Sequence, residues 1–343
     1  MASESSISHA RERRVGLIEA LGVTPVGKAL AEARLALGGD DSTPRSRFGL
    51  STLRQLRPRW AVPLWLGMRP AGRRVPVTNL YNYRQPPPEM GWSVRVTDVE
   101  DFRGRANTYD SHNGTDFAIP PGTDVVAAAP GVVLRVSSEY HRGGRKVLLD
   151  HGLGVVTTYN HLARPLVRAG QRVRRGERIA LSGYSGLDAL AGFPWAPPHV
   201  HFNVWLDGRY VDPFSPVGSD VPSLWRRHNQ PIPARGTDLD DDRLDPTRWD
   251  EGRLANAIAA CTHDGGRAEM SGARTVEERA GAALLQLCYF PTRFERAARS
   301  DGLSLYATSS PRRPLLDLPF SWRDYDGVVF VDDPEGASLT RRG

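Results

Sequence analysis

Hydrophobic and polar positions change rhythm twice along this chain. Between residues 8 and 37 apolar side chains recur at helical spacing, through Val15, Leu17, Ile18 and Leu21, then Leu30, Ala33 and Leu37, with "GVTP" between the two runs. Two amphipathic helices are predicted there. A polar, proline-rich region follows and ends in "RQPPPEMG" at 84–91. That stretch cannot continue a helix and reads as a linker. From about 92 to 216 the pattern becomes short alternating runs divided by glycine turns. "DVVAAAPGVVLRVSS" predicts two strands around Pro130-Gly131, and "RKVLLDHGLGVVTTYNHL" a hairpin turning at His151-Gly152-Leu153-Gly154. "QRVRRGERIALSG" predicts another tight pair, and "HVHFNVWLDGRYVDP" a hairpin turning at Asp207-Gly208. Many short strands with regular turns point to an all-β sheet or barrel-like domain.

Beyond 217 the composition shifts again. "DLDDDRLDP" is acidic and expected to be exposed, residues 252–263 and 275–299 read as helices, and "DGVVFVDD" reads as a strand. Thr275, followed by Glu277 and Glu278, is a candidate helix cap. The expected organisation is a helical and linker region over 1–91, a mainly β domain over 92–216, and a mixed α/β C-terminal extension over 217–343 of no legible role. No repeat of solenoid length is present.

Composition narrows this picture only a little. A chain of 343 residues can hold two domains or one with large extensions. Its net charge is +6, carried almost wholly by arginine, since Lys28 and Lys146 are the only lysines. Such a balance favours polyanionic surfaces such as acidic polymer, membrane or nucleic acid, and "RERR" and "RQLRPR" are local clusters. The plainer expectation is a solvated basic surface. No zinc-finger spacing or aromatic RNA-binding signature accompanies the charge, so no nucleic-acid partner is expected. The two cysteines, Cys261 and Cys288, allow one disulfide at most and sit in apolar, helix-like stretches as expected buried thiols. The N-terminus has no apolar core of signal-peptide length, and the apolar run at 60–68 is too short to span a bilayer. As written, the chain reads as soluble and cytoplasmic.

The chemistry concentrates in three segments. In "HVHF", residues two apart on a strand share a face, so His199, His201 and Asn203 point one way while Val200, Phe202 and Val204 point into the core. In "HNGTD", His112 and Asp116 are four apart and co-facial, with Gly114 leaving space between them for an ion. A histidine and an aspartate are suitable zinc ligands. In "TTYNHL", strand parity places Thr157, Tyr159 and His161 on one face. Tyr159 and Asn203 are then candidate substrate contacts. His151 is explained as a turn residue by its glycine neighbours. Together these segments offer three metal ligands and two spare histidines, whereas a catalytic zinc site wants three ligands and one open position. No H-E-x-x-H occurs, so proton transfer falls to the spare histidines.

"HNGTDFA", "TTYNHL", "GQRVRRGERIALSGYSG" and "HVHF", in that order over roughly 95–215, resemble the lysostaphin and LytM type of zinc metallopeptidases, which cleave peptide cross-links of bacterial cell walls. The resemblance implies an antiparallel sheet with an open groove walled by loops, one bound zinc ion, and a peptidoglycan peptide as substrate. It implies His112, Asp116 and His201 as zinc ligands and His161 and His199 as the catalytic pair, with the acid and base roles left open. Two departures stand beside it. The stretch "GLDALAGFPWAPPH" before His199 is longer and more aromatic than the family's short Gly/Ser-rich segment, and is expected either to reshape the groove or to pack on the C-terminal extension. A cell-wall substrate also requires export. Two other functions fit parts of the pattern: a non-catalytic regulator or scaffold of cell-wall enzymes on the same fold, and a histidine phosphocarrier-like domain, which leaves Asp116 unexplained.

Overall fold

A single sheet gathers strands from all three expected regions. The computed structural model describes residues 14–335 apart from 97, 188–191, 241–242 and 301–302, so part of the first helical run and of the "GLDALAGFPWAPPH" loop lies outside the described residues. The strands are β1 (Arg74–Asn79), β2 (Thr115–Ala118), β3 (Asp124–Val126), β4 (Gly131–Glu139), β5 (Gly144–Asp150), β6 (Val155–Pro165), β7 (Arg172–Val173), β8 (Arg178–Ser182), β9 (His199–Leu206), β10 (Arg209–Val211) and β11 (Gly327–Phe330). Their spatial order is β11-β1-β2-β9-β6-β5-β4-β7, with β10 added to β9 and β8 joining β3 to β6. Only the β1–β11 pair is parallel.

Two of the expected hairpins form. β5 and β6 pair across the His151–Gly154 turn. β9 and β10 pair across Asp207 and Gly208, whose φ values of 49° and 77° suit a two-residue turn matched to strand twist. The two strands expected around Pro130-Gly131 form as β3 and β4, and β3 pairs with β8. The tight pair expected in "QRVRRGERIALSG" is corrected, since β7 pairs with β4 instead of β8. Turn residues mark where a strand ends but carry no information on which distant strand it meets.

The alternation along β9 divides the protein into its two faces. Val200, Phe202 and Val204 enter the main core with Phe117, Tyr159, Phe214 and Trp225. Trp225 stacks on Phe202 with ring centroids 5.6 Å apart, so residues beyond 217 help to build the core of the β domain. On the opposite face Trp205, Val156, Leu148 and Leu134 pack under C-terminal helices. These helices are α4 (Glu251–Ala260), α5 (Asp264–Ser271) and α6 (Val276–Tyr289), numbered after three N-terminal helices, α1 (Leu17–Leu21), α2 (Val26–Gly38) and α3 (Pro58–Trp65). On that second face, the polar stretch where β2, β9 and the end of β6 lie side by side carries the candidate site.

Helix α6 starts as expected, with the Thr275 hydroxyl accepting from the Glu278 amide at 3.1 Å. It is rich in alanine because it lies close to the sheet, and a Cβ on Gly281 would stand 3.0 Å from the Leu134 carbonyl oxygen. The expected single helix over 275–299 is corrected: it ends at Tyr289, and a short α7 (Arg296–Ser300) follows. Pro291 accounts for the break, because it lacks an N–H and disfavours helical geometry in the residue before it. In α1 and α2 the periodic residues Leu17, Ile18, Leu30 and Leu37 are exposed, while Ala20, Leu21, Ala29 and Ala36 are buried. Leu21 apart, small side chains mark the packed face here. Among the described residues Cys261 and Cys288 are both free, and no helix is long and apolar enough to cross a membrane.

Trp225 is fully buried among Phe117, Phe202 and Phe214. Trp225→Ala is expected to cost about 3–5 kcal/mol, read as a lower urea midpoint of unfolding for the whole chain.

Candidate metal centre

The centre is built by strand register. β2 and β9 pair so that Asp116 lies opposite His201, and Ala118 lies opposite His199. Directly opposed residues point to the same side of a sheet. Asp116, His199 and His201 therefore share one surface, and Ala118 leaves room for the His199 ring. Gly114 permits this approach: a Cβ there would stand 2.5 Å from the Phe202 carbonyl oxygen and 2.7 Å from Asn203 Nδ2. The glycine thus serves the close packing of β9, a different use from the ion space expected from the sequence.

His112 enters from the turn before β2. Its Nε2 lies 3.0 Å from Asp116 Oδ1 and 3.1 Å from His201 Nδ1, and His201 Nδ1 lies 2.8 Å from the same carboxylate oxygen. One ligand atom from each of the three residues falls within 4.8 Å of the others. His199 Nε2 stands 3.5 Å from Asp116 Oδ1. The rings of His161 and His199 are 4.9 Å apart at their centroids.

What makes these imidazoles a site is where their other nitrogens go. His112 Nδ1 donates to the Leu80 carbonyl at 2.6 Å, His161 Nδ1 to the Ser185 carbonyl at 2.7 Å, and His199 Nδ1 to the Pro197 carbonyl at 3.0 Å. His201 Nε2 lies 2.8 Å from Asn203 Nδ2 and 3.2 Å from Asn113 Oδ1, and its Nδ1 faces Asp116. A backbone carbonyl can only accept, so the contacts of His112, His161 and His199 place an N–H on Nδ1 and turn Nε2 inward, where it can meet a metal ion or a proton. Three electron-pair donors within 2.8–3.1 Å of one another repel unless a cation or proton sits among them. Two imidazoles and one carboxylate form a ligand set that fits a divalent ion such as zinc, whose tetrahedral ligands stand about 3.3 Å apart at bond lengths near 2.0 Å.

Asp116 is only 1% exposed. Burial acts to raise its pKa, but attraction to His112 and His199, with hydrogen bonds to His112 and His201, outweighs this and holds the carboxyl well below its usual range. Its second oxygen, Oδ2, accepts from Asn79 Nδ2 at 2.8 Å. An irregularity in the β1–β2 register brings Asn79 opposite Asp116. Asn79 and Leu80 precede the expected linker, and sequence reasoning missed both; only knowledge of the sheet order reveals them.

His161 reaches the site by a bulge. Asn160 and His161 on β6 together oppose Lys146 on β5, between the Val147↔Tyr159 and Arg145↔Leu162 pairs. His161 takes φ 60°, an uncommon conformation for a residue with a side chain. His161 thus lies on the site face as expected, while the expectation that Thr157 and Tyr159 share that face is corrected. Tyr159 points into the main core, and its hydroxyl accepts from the Ala128 amide and the Thr157 hydroxyl at 3.0 and 3.1 Å. It cannot touch a substrate in the groove. Thr158 and Asn160 take the polar face instead, opposite Asn203 and His201. Burial, then the nearby His199 and His201, lowers the pKa of His161 well below its ordinary value, and burial likewise lowers that of His201. His151 is buried and bonded to the Pro130 carbonyl and the Thr157 hydroxyl, away from the centre.

Two cavities adjoin the centre. One of about 410 Å³ is lined by Tyr81, Arg142, His161, His201 and Tyr289, and a narrower one of about 90 Å³ by Phe48, Leu56, Tyr184, Asp116 and His199. Trp92 and Tyr109 line both. The loop before His199 packs its Phe193 on Trp65 of α3, centroids 4.9 Å apart, so its described part rests on the N-terminal region and not on the C-terminal extension.

Such a ligand set, beside two further histidines on an antiparallel sheet, is the kind of site metallopeptidases use. Residues 110–213 match the model of Peptidase family M23, and the chain carries a peptidase M23 domain there. An uncharacterized metalloprotease of Haemophilus influenzae is 42% identical over 104 residues, which are 30% of this chain and 20% of that protein. The peptidoglycan DD-endopeptidase ShyA of Vibrio cholerae is 40% identical over 114 residues, 32% of this chain and 25% of that one. The chain therefore spans only a fifth to a quarter of these two relatives' length. The catalytic domain of lysostaphin from Staphylococcus simulans is 28% identical, with 30% of this chain and 77% of that chain covered at a TM-score of 0.27.

Asn79→Ala removes a donor to Asp116 from outside the matched segment. Divalent-metal affinity is expected to fall about 10- to 100-fold, measured by competition with a chromogenic chelator.

Proposed function

We propose that the chain is a zinc metalloendopeptidase that hydrolyses peptide cross-links of peptidoglycan. The observation that carries this reading is the convergence of His112, Asp116 and His201 next to two further histidines whose anchored Nδ1 atoms leave Nε2 facing inward. The kinship of residues 110–213 with proteins named as peptidoglycan DD-endopeptidases supports the substrate.

His112 Nε2, Asp116 Oδ1 and His201 Nδ1 would hold the ion, and the single negative charge of Asp116 leaves the site with net positive charge. Bound zinc supplies Lewis acidity toward a carbonyl and a nucleophilic water near neutral pH. The protein's own contribution is positioning and proton transfer. His161 is kept neutral at pH 7 by burial, and its Nδ1–H is anchored on Ser185, so Nε2 is ready to accept a proton. His199 is anchored likewise on Pro197, and its ring stands 4.9 Å from that of His161. The pair flanks one side of Asp116, where it can take a proton from an attacking water and return one to a leaving amine. Once protonated, either ring can also stabilise a developing oxyanion. A phosphocarrier role is disfavoured, because the Asp116 carboxylate within 3.5 Å of His199 would repel a phosphoryl group.

One observation favours the second reading, a regulator or scaffold on the same fold. His161, His201 and Asp116 are 3%, 7% and 1% exposed, so the centre as folded is largely covered.

Metal content and digestion of purified peptidoglycan, measured together, separate the two. His201→Ala is expected to lose both zinc and hydrolysis. His161→Ala and His199→Ala are expected to keep zinc and to lose about 10²- to 10⁴-fold in rate. Zinc-loaded wild-type protein that releases no fragment would favour the regulator. Mass analysis of the fragments identifies the bond cut.

A further inference from the structure

We infer that Tyr289, at the end of α6 in the C-terminal extension, is a positioning residue for the metal centre and acts on His201 through a chain of asparagines. This rests on the metal-site reading above.

The chain runs through buried amides whose polarity is set one by the next. The Tyr289 hydroxyl donates to Asn160 Oδ1 at 2.7 Å. That contact leaves Asn160 Nδ2 to donate to Asn203 Oδ1 and to the His201 carbonyl, each at 3.0 Å. Asn203 Oδ1 also accepts from the Thr158 hydroxyl at 2.9 Å. Asn203 Nδ2 then donates to the backbone carbonyl and Oδ1 of Asn113, both at 2.9 Å. Asn203 Nδ2 also lies 2.8 Å from His201 Nε2, with Asn113 Oδ1 at 3.2 Å, so both asparagines bear on the ring whose Nδ1 is aimed at Asp116.

An amide can face either way round, and only its partners decide which. Among the described residues, Asn160 Oδ1 has no other donor than the Tyr289 hydroxyl. Asn160 and Asn203 are fully buried. Gly143 leaves no alternative side chain nearby, and its absent Cβ would stand 3.1 Å from Asn160 Oδ1. Without the phenol, Asn160 Oδ1 is left without its donor, while a turned amide would set that oxygen against Asn203 Oδ1 and the His201 carbonyl, which only accept. Either outcome weakens the hold of Asn160 on Asn203 and His201. Coupling through a connected polar network of this kind exceeds what single contacts contribute. The C-terminal extension thus has a role that its sequence does not display: it completes the outer shell of a centre whose ligands all lie in the M23 segment.

Tyr289→Phe keeps the ring and its packing near Trp205, 6.0 Å away between centroids, and deletes only the hydroxyl. Tyr306→Phe is the control, a hydroxyl deletion at another buried tyrosine of the extension with no place in the chain. Zinc affinity is measured by chelator competition, with thermal unfolding of the zinc-free proteins alongside. Tyr289→Phe is expected to bind zinc about 10- to 100-fold more weakly, and Tyr306→Phe as tightly as wild type. In an Asn203→Ala background, where the chain is cut next to the His201 ring, Tyr289→Phe is expected to have little further effect. Equal zinc affinity of Tyr289→Phe and wild type overturns the inference alone. So does a full effect of Tyr289→Phe in the Asn203→Ala background, or an equal loss in Tyr306→Phe. Wild-type protein that retains no zinc overturns the metal-site reading and this inference with it.

Discussion

A buried carboxylate charge is the constraint around which this molecule is arranged. Asp116 sits in the middle of a sheet, almost without exposure, and is held ionised. A lone ionised group in such a place is costly and changes protonation state unless positive charge and hydrogen-bond donors surround it. The surroundings come from four directions: Asn79 from β1, His112 from the turn before β2, and His199 and His201 from β9. Each is placed by strand register, so the chemistry depends on pairings between segments far apart in the chain. The acceptor carbonyls of Leu80, Ser185 and Pro197 then settle which nitrogen of each ring faces inward.

The two faces of β9 show how one strand serves stability and chemistry together. Its core side is aromatic and aliphatic, closed by Phe117, Phe214 and Trp225. Its other side changes character along its length, from Trp205 under the C-terminal helices to His201 and His199 at the centre. The apolar half fixes the register, because a slip of one residue would exchange the two faces entirely. Packing at Trp205 therefore helps determine where the histidines stand, without touching them.

This division explains what the sequence displays and what it hides. Period-two alternation in "HVHF" and the i, i+4 spacing of "HNGTD" are local signals, and the convergence of His112, Asp116 and His201 is legible from them with the family resemblance. The hairpin at Asp207-Gly208 is legible for the same reason, since turn chemistry is local. Parity fails for "TTYNHL", because a bulge inserts one residue, so Tyr159 and His161 leave the strand on opposite faces. The strand partner fails for β7, because pairing is a property of the assembled sheet. Asn79, Leu80 and Asn160 carry no recognisable motif, and only their neighbours in space give them a role.

The edge of the sheet has a further consequence. β2 is flanked on its outer side by β1, which in turn pairs with β11 from the far end of the chain. Excising the matched segment at its own limits would leave a naked strand with unmet backbone groups, inviting adhesion between copies. The natural unit for transplantation or shuffling therefore begins upstream of Arg74 and takes in Gly327–Phe330, so recombination with relatives is confined to crossovers that inherit both of these flanking pieces together.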